Sequence, residues 1–563
     1  MKSMKFGKKM RVVVLAATLF FGASAHLQAA TDLPLKAGCE NLSGWVLPAQ
    51  VTSLPSGPVR IASANRVAAS SATVSERGPT PAARFSPALP EFCRVLGAID
   101  PVDPKAPQIQ FQINLPLKWN GRSVQYGGGG FNGVLINALA MLPAAPFDQP
   151  VPLSQGYVTY GTDSGHQNQA GQPPQVFALN DEALLNFAHA SYKKVRDVAV
   201  EVMKRSYGQG PEKLYFFGSS EGGREGLTMA QRYPQDFDGI FSRVPVIHWT
   251  GLQHTGLRDG MALMNGGWLP PAQVQLVGKA VLAACDAADG LVDGIVSDPV
   301  GCRQRFDVRK LQCESAAADT CLTALQVKAV QTLNAPLRLD VELANGLTEY
   351  PGRGPSGEAL AALGPTGGWM AWWTGATAPS LPPQPSNGIG WFYGAGAIQY
   401  FYARNPSLDV GTYQMRDHAV RVKEISALMD STHPDLSAFH ARGGKLIMME
   451  NMADYAQSPY AGIGYYESVI QKMGADTSAT FIRLYTAPSV DHVGSGAPAN
   501  VDMLGALSDW VERGRAPGTL ELLEQSVSLP VQRLRARPLC QWPLVPRYQS
   551  GDVNNAASFK CSP

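Results

Sequence analysis

Residues Gly218-Ser219-Ser220-Glu221-Gly222 spell Gly-x-Ser-x-Gly between the apolar run Leu214–Phe217 and a stretch of helical periodicity from Gly223 to Tyr233. That context is a strand turning sharply into a helix, and glycines stand two positions either side of Ser220 because larger side chains would collide in so tight a turn. The turn lifts the serine hydroxyl above the sheet and aims the N–H of the next residue, Glu221, at a developing oxyanion. Such an arrangement suits acyl transfer, with Ser220 as nucleophile and a covalent acyl-enzyme as intermediate. Upstream, Gly127-Gly128-Gly129-Gly130-Phe131-Asn132-Gly133 follows the short apolar run Val124–Tyr126. Backbone free of side chains can approach a tetrahedral carbon closely, so this loop is expected to supply the second oxyanion N–H, with Gly128 and Gly129 as the candidates. No Lys-Ser/Thr opens a helix after it, which a phosphate-binding loop would require.

A serine nucleophile needs a base, and the base needs an acid to orient it. In α/β-hydrolases these follow the serine in the chain order Asp or Glu, then His. His492, in Ser489-Val490-Asp491-His492-Val493-Gly494, is the histidine far enough toward the C-terminus to fill that place. Asp454, just beyond the apolar run Ile447–Met449, is the expected acid. Asp491 is its rival, although adjacent side chains rarely hydrogen-bond productively. His166 precedes the nucleophile and reads as structural, whereas His248, His254, His418, His433 and His440 read as surface or substrate-cleft residues.

These residues must be held by a sheet. Short apolar runs at Ile109–Ile113, Val124–Tyr126, Tyr157–Tyr160 and Leu214–Phe217 alternate with helical periodicity over Asp181–Tyr207 and Gly223–Tyr233. Such alternation predicts a mainly parallel sheet covered on both faces. From 247 to 431 the chain turns rich in Gly, Pro and Trp, and strand-like patterning returns at Lys445–Met449 and Thr480–Tyr485 before a helical stretch, Val501–Arg513. The expected fold is an α/β-hydrolase core, 31–246 and 432–563, interrupted by a lid domain over 247–431. At 563 residues the chain exceeds what one hydrophobic core usually fills, which fits a core plus an insertion.

Lys2, Lys5, Lys8, Lys9 and Arg11, then an apolar run from Val12 to Phe21, then small residues up to Ala30, have the order of a signal peptide over 1–30. Its apolar run is too short to span a bilayer comfortably, so no membrane anchor is expected in the mature chain. Export, to the periplasm or beyond, would suit the eight cysteines. Spacing alone cannot fix their connectivity, but proximity suggests Cys285 with Cys302, Cys313 with Cys321 and Cys540 with Cys561, leaving Cys39 for Cys93. With a formal net charge of +2 and no basic stripe, nucleic acid is not an expected partner.

The segments 127–133, Thr162-Asp163-Ser164-Gly165-His166, Gly218–Gly226 and those around Asp454 and His492 resemble the tannase and feruloyl esterase family, which also includes hydrolases of terephthalate half-esters. The resemblance spans nearly the whole mature chain and implies a lidded α/β-hydrolase. It also implies that Cys285-Asp286-Ala287-Ala288-Asp289-Gly290-Leu291-Val292-Asp293-Gly294-Ile295 binds a structural Ca2+, through the side chains of Asp286, Asp289 and Asp293 and the carbonyls of Leu291 and Ile295. One departure stands out: the family typically joins a cysteine before the nucleophile to one after the histidine, where this chain has Ser219 and Val493. The histidine loop is then expected to be held by packing or hydrogen bonds.

The substrate this implies is a small aromatic ester of the phenolic, feruloyl type, with a galloyl ester or a terephthalate half-ester as the alternative. Trp369, Trp373 and Trp391, with Trp372, Phe392 and Tyr393, could stack on the acyl group or equally form the lid's own core. No Lys or Arg occurs from Gly354 to Ala403, which weakens the half-ester alternative unless Arg353, Arg404 or another lid arginine reaches the site. A different class, an aromatic-binding protein without turnover, fits less well with a complete triad.

Overall fold

Six parallel strands carry the site: β1 (Arg122–Tyr126), β2 (Val158–Thr162), β3 (Lys213–Ser219), β4 (Gly239–Arg243), β5 (Lys445–Asn451) and β6 (Ile482–Ala487), in the spatial order β2-β1-β3-β4-β5-β6. The computed structural model describes residues 32–36, 38–76, 83–315, 319–358, 368–384 and 386–563. The expected leader lies outside them. Antiparallel strands extend the sheet at both ends: Ile109–Pro116, Phe92–Ile99, Val59–Val67 and Val46–Leu47 beyond β2, Arg533–Gln541 and Leu520–Gln525 beyond β6. Ile109–Ile113 therefore belongs to a strand that runs against its neighbours.

Alternation along β3 explains why both faces are covered. Phe216 packs against Leu227 and Met229 of helix α2 (Glu221–Arg232) on one face. Its neighbours Tyr215 and Phe217 meet Leu504, Leu507 and Trp510 of the C-terminal helix Met503–Arg513 on the other. The preceding helix α1 (Ser191–Tyr207) continues from helical residues Asp181–Leu185 through a π-type turn over Asn186–Ala190, so the helical stretch expected from Asp181 runs through with one wider turn. The result is an α/β-hydrolase fold.

Between β4 and β5 the described residues add no strand to this sheet. They form helices, among them α3 (Trp249–Ala262) and α4 (Ile389–Ala397), and a small ribbon pairing Leu337–Arg338 with Glu349–Tyr350. The insertion packs directly on the core: Trp249, Trp391 and Phe401 share one apolar cluster with Phe131 and Phe187. Asp32–Pro563 forms one compact unit. Four disulfides bridge Cys39–Cys93, Cys285–Cys302, Cys313–Cys321 and Cys540–Cys561, the pairs that proximity suggested. No helix among the described residues is long and apolar enough to cross a membrane.

Candidate active site

Strand order reverses between β1 and β3, because the chain steps outward to β2 before returning to the other side of β1. In open α/β sheets the crevice beyond the carboxyl ends of the strands at such a point is where ligands bind. The glycine-rich loop leaves β1 there, and Ser220 leaves β3 beside it.

Ser220 sits at φ 61° and ψ −122°, a conformation that residues with a Cβ rarely adopt. Its N–H donates to the Arg243 carbonyl of β4 (3.0 Å), which helps hold the turn. The flanking glycines are sterically required: a methyl at Gly218 would stand 2.0 Å from the Gly222 carbonyl oxygen, and one at Gly222 2.7 Å from that of Gly128. Beyond the turn, Ser220 Oγ lies 2.9 Å from His492 Nε2, and His492 Nδ1 lies 2.7 Å from Asp454 Oδ2. The Asp454 carboxylate also accepts the N–H groups of Ala456 (2.7 Å) and Gln457 (3.0 Å) through Oδ1, so its orientation is fixed from both ends. Asp491 is occupied differently: its Oδ1 accepts the N–H groups of Val493, Gly494 and Ser495 and shapes the loop that carries His492.

That loop has other ties. Asn451 at the end of β5 donates to the Asp491 carbonyl (2.6 Å), Ala453 N–H to the Val490 carbonyl (3.0 Å), and Val296 N–H to Ser489 Oγ (2.7 Å). Hydrogen bonds thus hold the loop, and Val493 itself is half exposed.

The oxyanion side differs from the expectation. Gly128 N–H donates to Glu225 Oε2 (2.8 Å) and Gly129 N–H to Asn132 Oδ1 (2.5 Å), so both candidates serve the loop's own framework. A glycine run announces close backbone approach but not which N–H faces the ligand. It is Gly130, at φ 59°, that lines the cleft. The framework is anchored on Glu225, one helical turn beyond Glu221 on α2, whose Oε1 accepts from Asn132 Nδ2 (2.8 Å) and the Tyr192 hydroxyl (2.5 Å). Burial raises the Glu225 carboxyl, while these three donors and the nearby Arg224 favour its charged form. Glu221 pairs with Arg224 in the same buried layer and keeps its backbone N–H at the first position of α2, where no intrahelical acceptor exists. Sequence reasoning missed Glu225 and Tyr192; the available signal was a second glutamate in helical register behind Ser220.

Ser220, Glu221 and His492 open onto a cleft whose other walls include Phe131, Trp249, Trp372, Tyr393, Leu252 and Gln253. Trp372 lies 6.0 Å from the His492 ring and 5.8 Å from Tyr393, and Phe131 meets Tyr393 edge-on at 4.8 Å. The tryptophans taken as substrate contacts lie elsewhere. Trp369, Trp373 and Trp391 are 2%, 1% and 0% exposed, with Trp373 Nε1 donating to the Tyr455 carbonyl and Trp391 Nε1 to that of Ser380. They build the insertion's interior, and Trp372, one residue from Trp373, faces the cleft. Neither candidate arginine reaches it: Arg353 is buried over the Trp373 ring (3.8 Å) and paired with Asp259, and Arg404 pairs with Asp181. His254 is interior too, its ring nitrogens bound to the Thr250 carbonyl and the Tyr413 hydroxyl, and burial pushes it down to about 4. His166 stacks on Phe177 at 3.7 Å and holds the Phe131 carbonyl, a supporting place.

In the acidic segment, Asp286 Oδ2 accepts the Gly294 N–H (3.0 Å), Asp289 accepts Leu291 N–H (3.0 Å) and the Ser297 hydroxyl, and Asp293 accepts Ile295 N–H (3.1 Å) and pairs with Arg537. Each carboxylate is thus engaged by groups of the protein itself, and among the described residues no three acidic, histidine or cysteine side chains form a metal-ligand cluster. The donor chemistry is nevertheless all hard oxygen, and Asp289 is raised by burial and then by the charges of Asp293 and Asp286, which a cation would relieve.

Residues 93–562 match the family model described as tannase and feruloyl esterase. An uncharacterised esterase of Agrobacterium fabrum is 34% identical over 540 residues, covering 93% of each chain. The mono(2-hydroxyethyl) terephthalate hydrolase of Piscinibacter sakaiensis is 31% identical over 546 residues, covering 86% of this chain and 87% of its own. Among solved structures, an esterase from Aspergillus oryzae superposes with a TM-score of 0.75 at 24% identity, over 93% of this chain and 100% of that one.

Proposed function

The chain belongs to the tannase and feruloyl esterase family and is a carboxylic ester hydrolase, and from that premise we propose that it cleaves small, uncharged phenolic esters of the feruloyl type through Ser220, His492 and Asp454. One observation carries the reading: His492 stands within hydrogen-bond reach of both Ser220 and Asp454 at the floor of an aromatic-walled cleft. The Asp454 carboxylate can only accept, so the imidazole proton sits on Nδ1 and the Nε2 lone pair faces the serine hydroxyl. His492 takes that proton as Ser220 Oγ attacks the ester carbonyl, and the imidazolium formed is stabilised by Asp454. The N–H groups of Glu221 and Gly130 receive the oxyanion. Collapse expels the alcohol with the proton from His492, and water repeats the sequence to free the acid. A leader that exports the chain belongs to this reading and fits the four disulfides.

Aromatic walls favour a planar acyl group, and Phe131, Trp249, Trp372 and Tyr393 offer faces and edges for it. The side chains lining the cleft include no lysine or arginine. A terephthalate half-ester would bury its free carboxylate with no lysine or arginine lining the cleft to meet it, at a cost of about 2 kcal/mol, roughly 30-fold in rate. Methyl ferulate should therefore show a kcat/KM at least about 30-fold above that of a terephthalate mono-ester, with ethyl gallate run alongside. A preference for the charged half-ester would overturn the substrate assignment, and no turnover of any of the three would leave an aromatic-binding protein.

We also infer that the 286–295 segment takes one Ca2+ through Asp286, Asp289 and Asp293 with the carbonyls of Leu291 and Ile295. When bound, the ion would neutralise the clustered charge and stiffen a segment tied through Val296 to Ser489 in the histidine loop. Chelation should lower Tm by about 5 °C, with added Ca2+ restoring it. An unchanged melt across chelator and Ca2+ would remove the ion from the account.

A further inference from the structure

Arg243 ends β4 in register with Ser219 of β3. Its carbonyl accepts the Ser220 N–H, so its backbone supports the nucleophile turn. Its side chain, 5% exposed, runs the other way, beneath the loop that carries His492. The contact is close: a methyl on Gly494 would stand 2.5 Å from Arg243 Nη2 and 3.3 Å from Cζ. Gly494 also has φ 99°, which a side chain would strain, so both the conformation and the guanidinium beneath it call for glycine.

Two nitrogens of this guanidinium, Nε and Nη2, have no hydrogen-bond partner among the described residues, and neither has Asp491 Oδ2. A buried cation costs several kcal/mol unless an anion answers it. The anions that act on Arg243 are Asp491 and, more weakly, Asp454; burial brings its side chain down to about 10 and they hold it up. Asp491 uses Oδ1 to shape the loop through three N–H groups, and its Oδ2, which makes no direct hydrogen bond to the guanidinium, is left to meet the cation through a shared water.

We infer that Arg243 is a positioning residue: with Asp491 it forms a buried charge pair that ties the histidine loop to the strand supporting the nucleophile and balances the charge beside His492. This inference rests on the triad proposed above and adds a residue that touches no substrate. The titratable and charged groups around the imidazole are Asp454 at Nδ1, with Glu450 behind it, Asp491 in its own loop, Arg243 from β4, and the Glu221–Arg224 pair on α2. The insertion contributes the neutral Trp372, and Tyr455 follows Asp454.

Opposed signs make the test specific. Arg243→Met removes a cation near His492, so the acid limb of the pH profile of kcat/KM should move to higher pH, by about 0.5 unit, with kcat falling about 10-fold and KM within about 2-fold. Asp491→Asn keeps the Oδ1 acceptor but removes an anion, so its acid limb should move to lower pH. The double variant should return the limb to its wild-type place and lose no more activity than Arg243→Met alone, and Arg243→Lys should recover part of kcat. Additive losses, or shifts of the same sign in both single variants, would overturn the pairing. If Arg243→Met does not fold, Asp491→Asn decides: an unmoved acid limb overturns the inference. Wild type with no esterase activity would instead overturn the triad reading, whereas active wild type beside unchanged Arg243→Met would overturn this inference alone.

Discussion

Ser220→Ala should lower kcat on methyl ferulate by about 10^6-fold, leave KM within a few-fold and leave the melt unchanged. The size follows from what the hydroxyl does: without Oγ no acyl-enzyme forms, and His492 has nothing to deprotonate except water. Residual turnover, about 10^3-fold above the uncatalysed reaction, would come from the oxyanion donors and from binding. The fold should not notice, because alanine keeps the Cβ and the positive φ at 220 is held by Gly218, Gly222 and the Arg243 carbonyl. Initial rates beside a thermal melt check both statements. A variant keeping more than about 1% of wild-type kcat would mean that another group attacks the ester.

The turn that carries Ser220 was legible in the sequence because its requirements are local. A Cβ at Gly218 or Gly222 collides with neighbouring backbone, so the strand-to-helix turn leaves its glycines in the sequence wherever it occurs. His492 and Asp454 were reachable through chain order, since the turns after β5 and β6 must bring them back to the serine. The cleft walls were not. Trp372 and Trp373 are consecutive in one helical turn and point in different directions, so one faces the cleft and the other the interior, and only the packing of the insertion decides which. The glycine-rich loop shows the same limit: composition marks backbone approach, whereas the directions of the Gly128 and Gly129 N–H groups depend on Glu225, almost a hundred residues away. The outer strand Val59–Val67 escaped notice because its exposed face alternates Arg60, Ala62 and Asn65 into an otherwise apolar run, which reads as polar chain until its partners are known.

Asp454→Asn should cost about 10^4-fold in kcat near neutral pH, with KM little changed. The substituted amide can keep the Oδ1 bonds to the Ala456 and Gln457 N–H groups, which places its nitrogen where Oδ2 meets His492 Nδ1. That nitrogen donates, so Nδ1 must accept and the imidazole proton moves to Nε2, the atom that has to take the proton of Ser220. The variant is thus folded but holds its base in the wrong tautomer. Glu450, buried behind Asp454, is raised well above the usual carboxylate range by burial and then by the Asp454 charge, which disfavours its charged form as a substitute anion. Asp491 cannot substitute either, since its Oδ1 is committed to three loop N–H groups and His492 Nδ1 is already held by Asp454. Asp491→Asn should accordingly lose about 10-fold or less, roughly a thousandfold less than Asp454→Asn. Rates measured for both variants at one pH separate the two acids: were Asp491→Asn to fall by about 10^4 while Asp454→Asn kept most of its kcat, the acid of the triad would be Asp491.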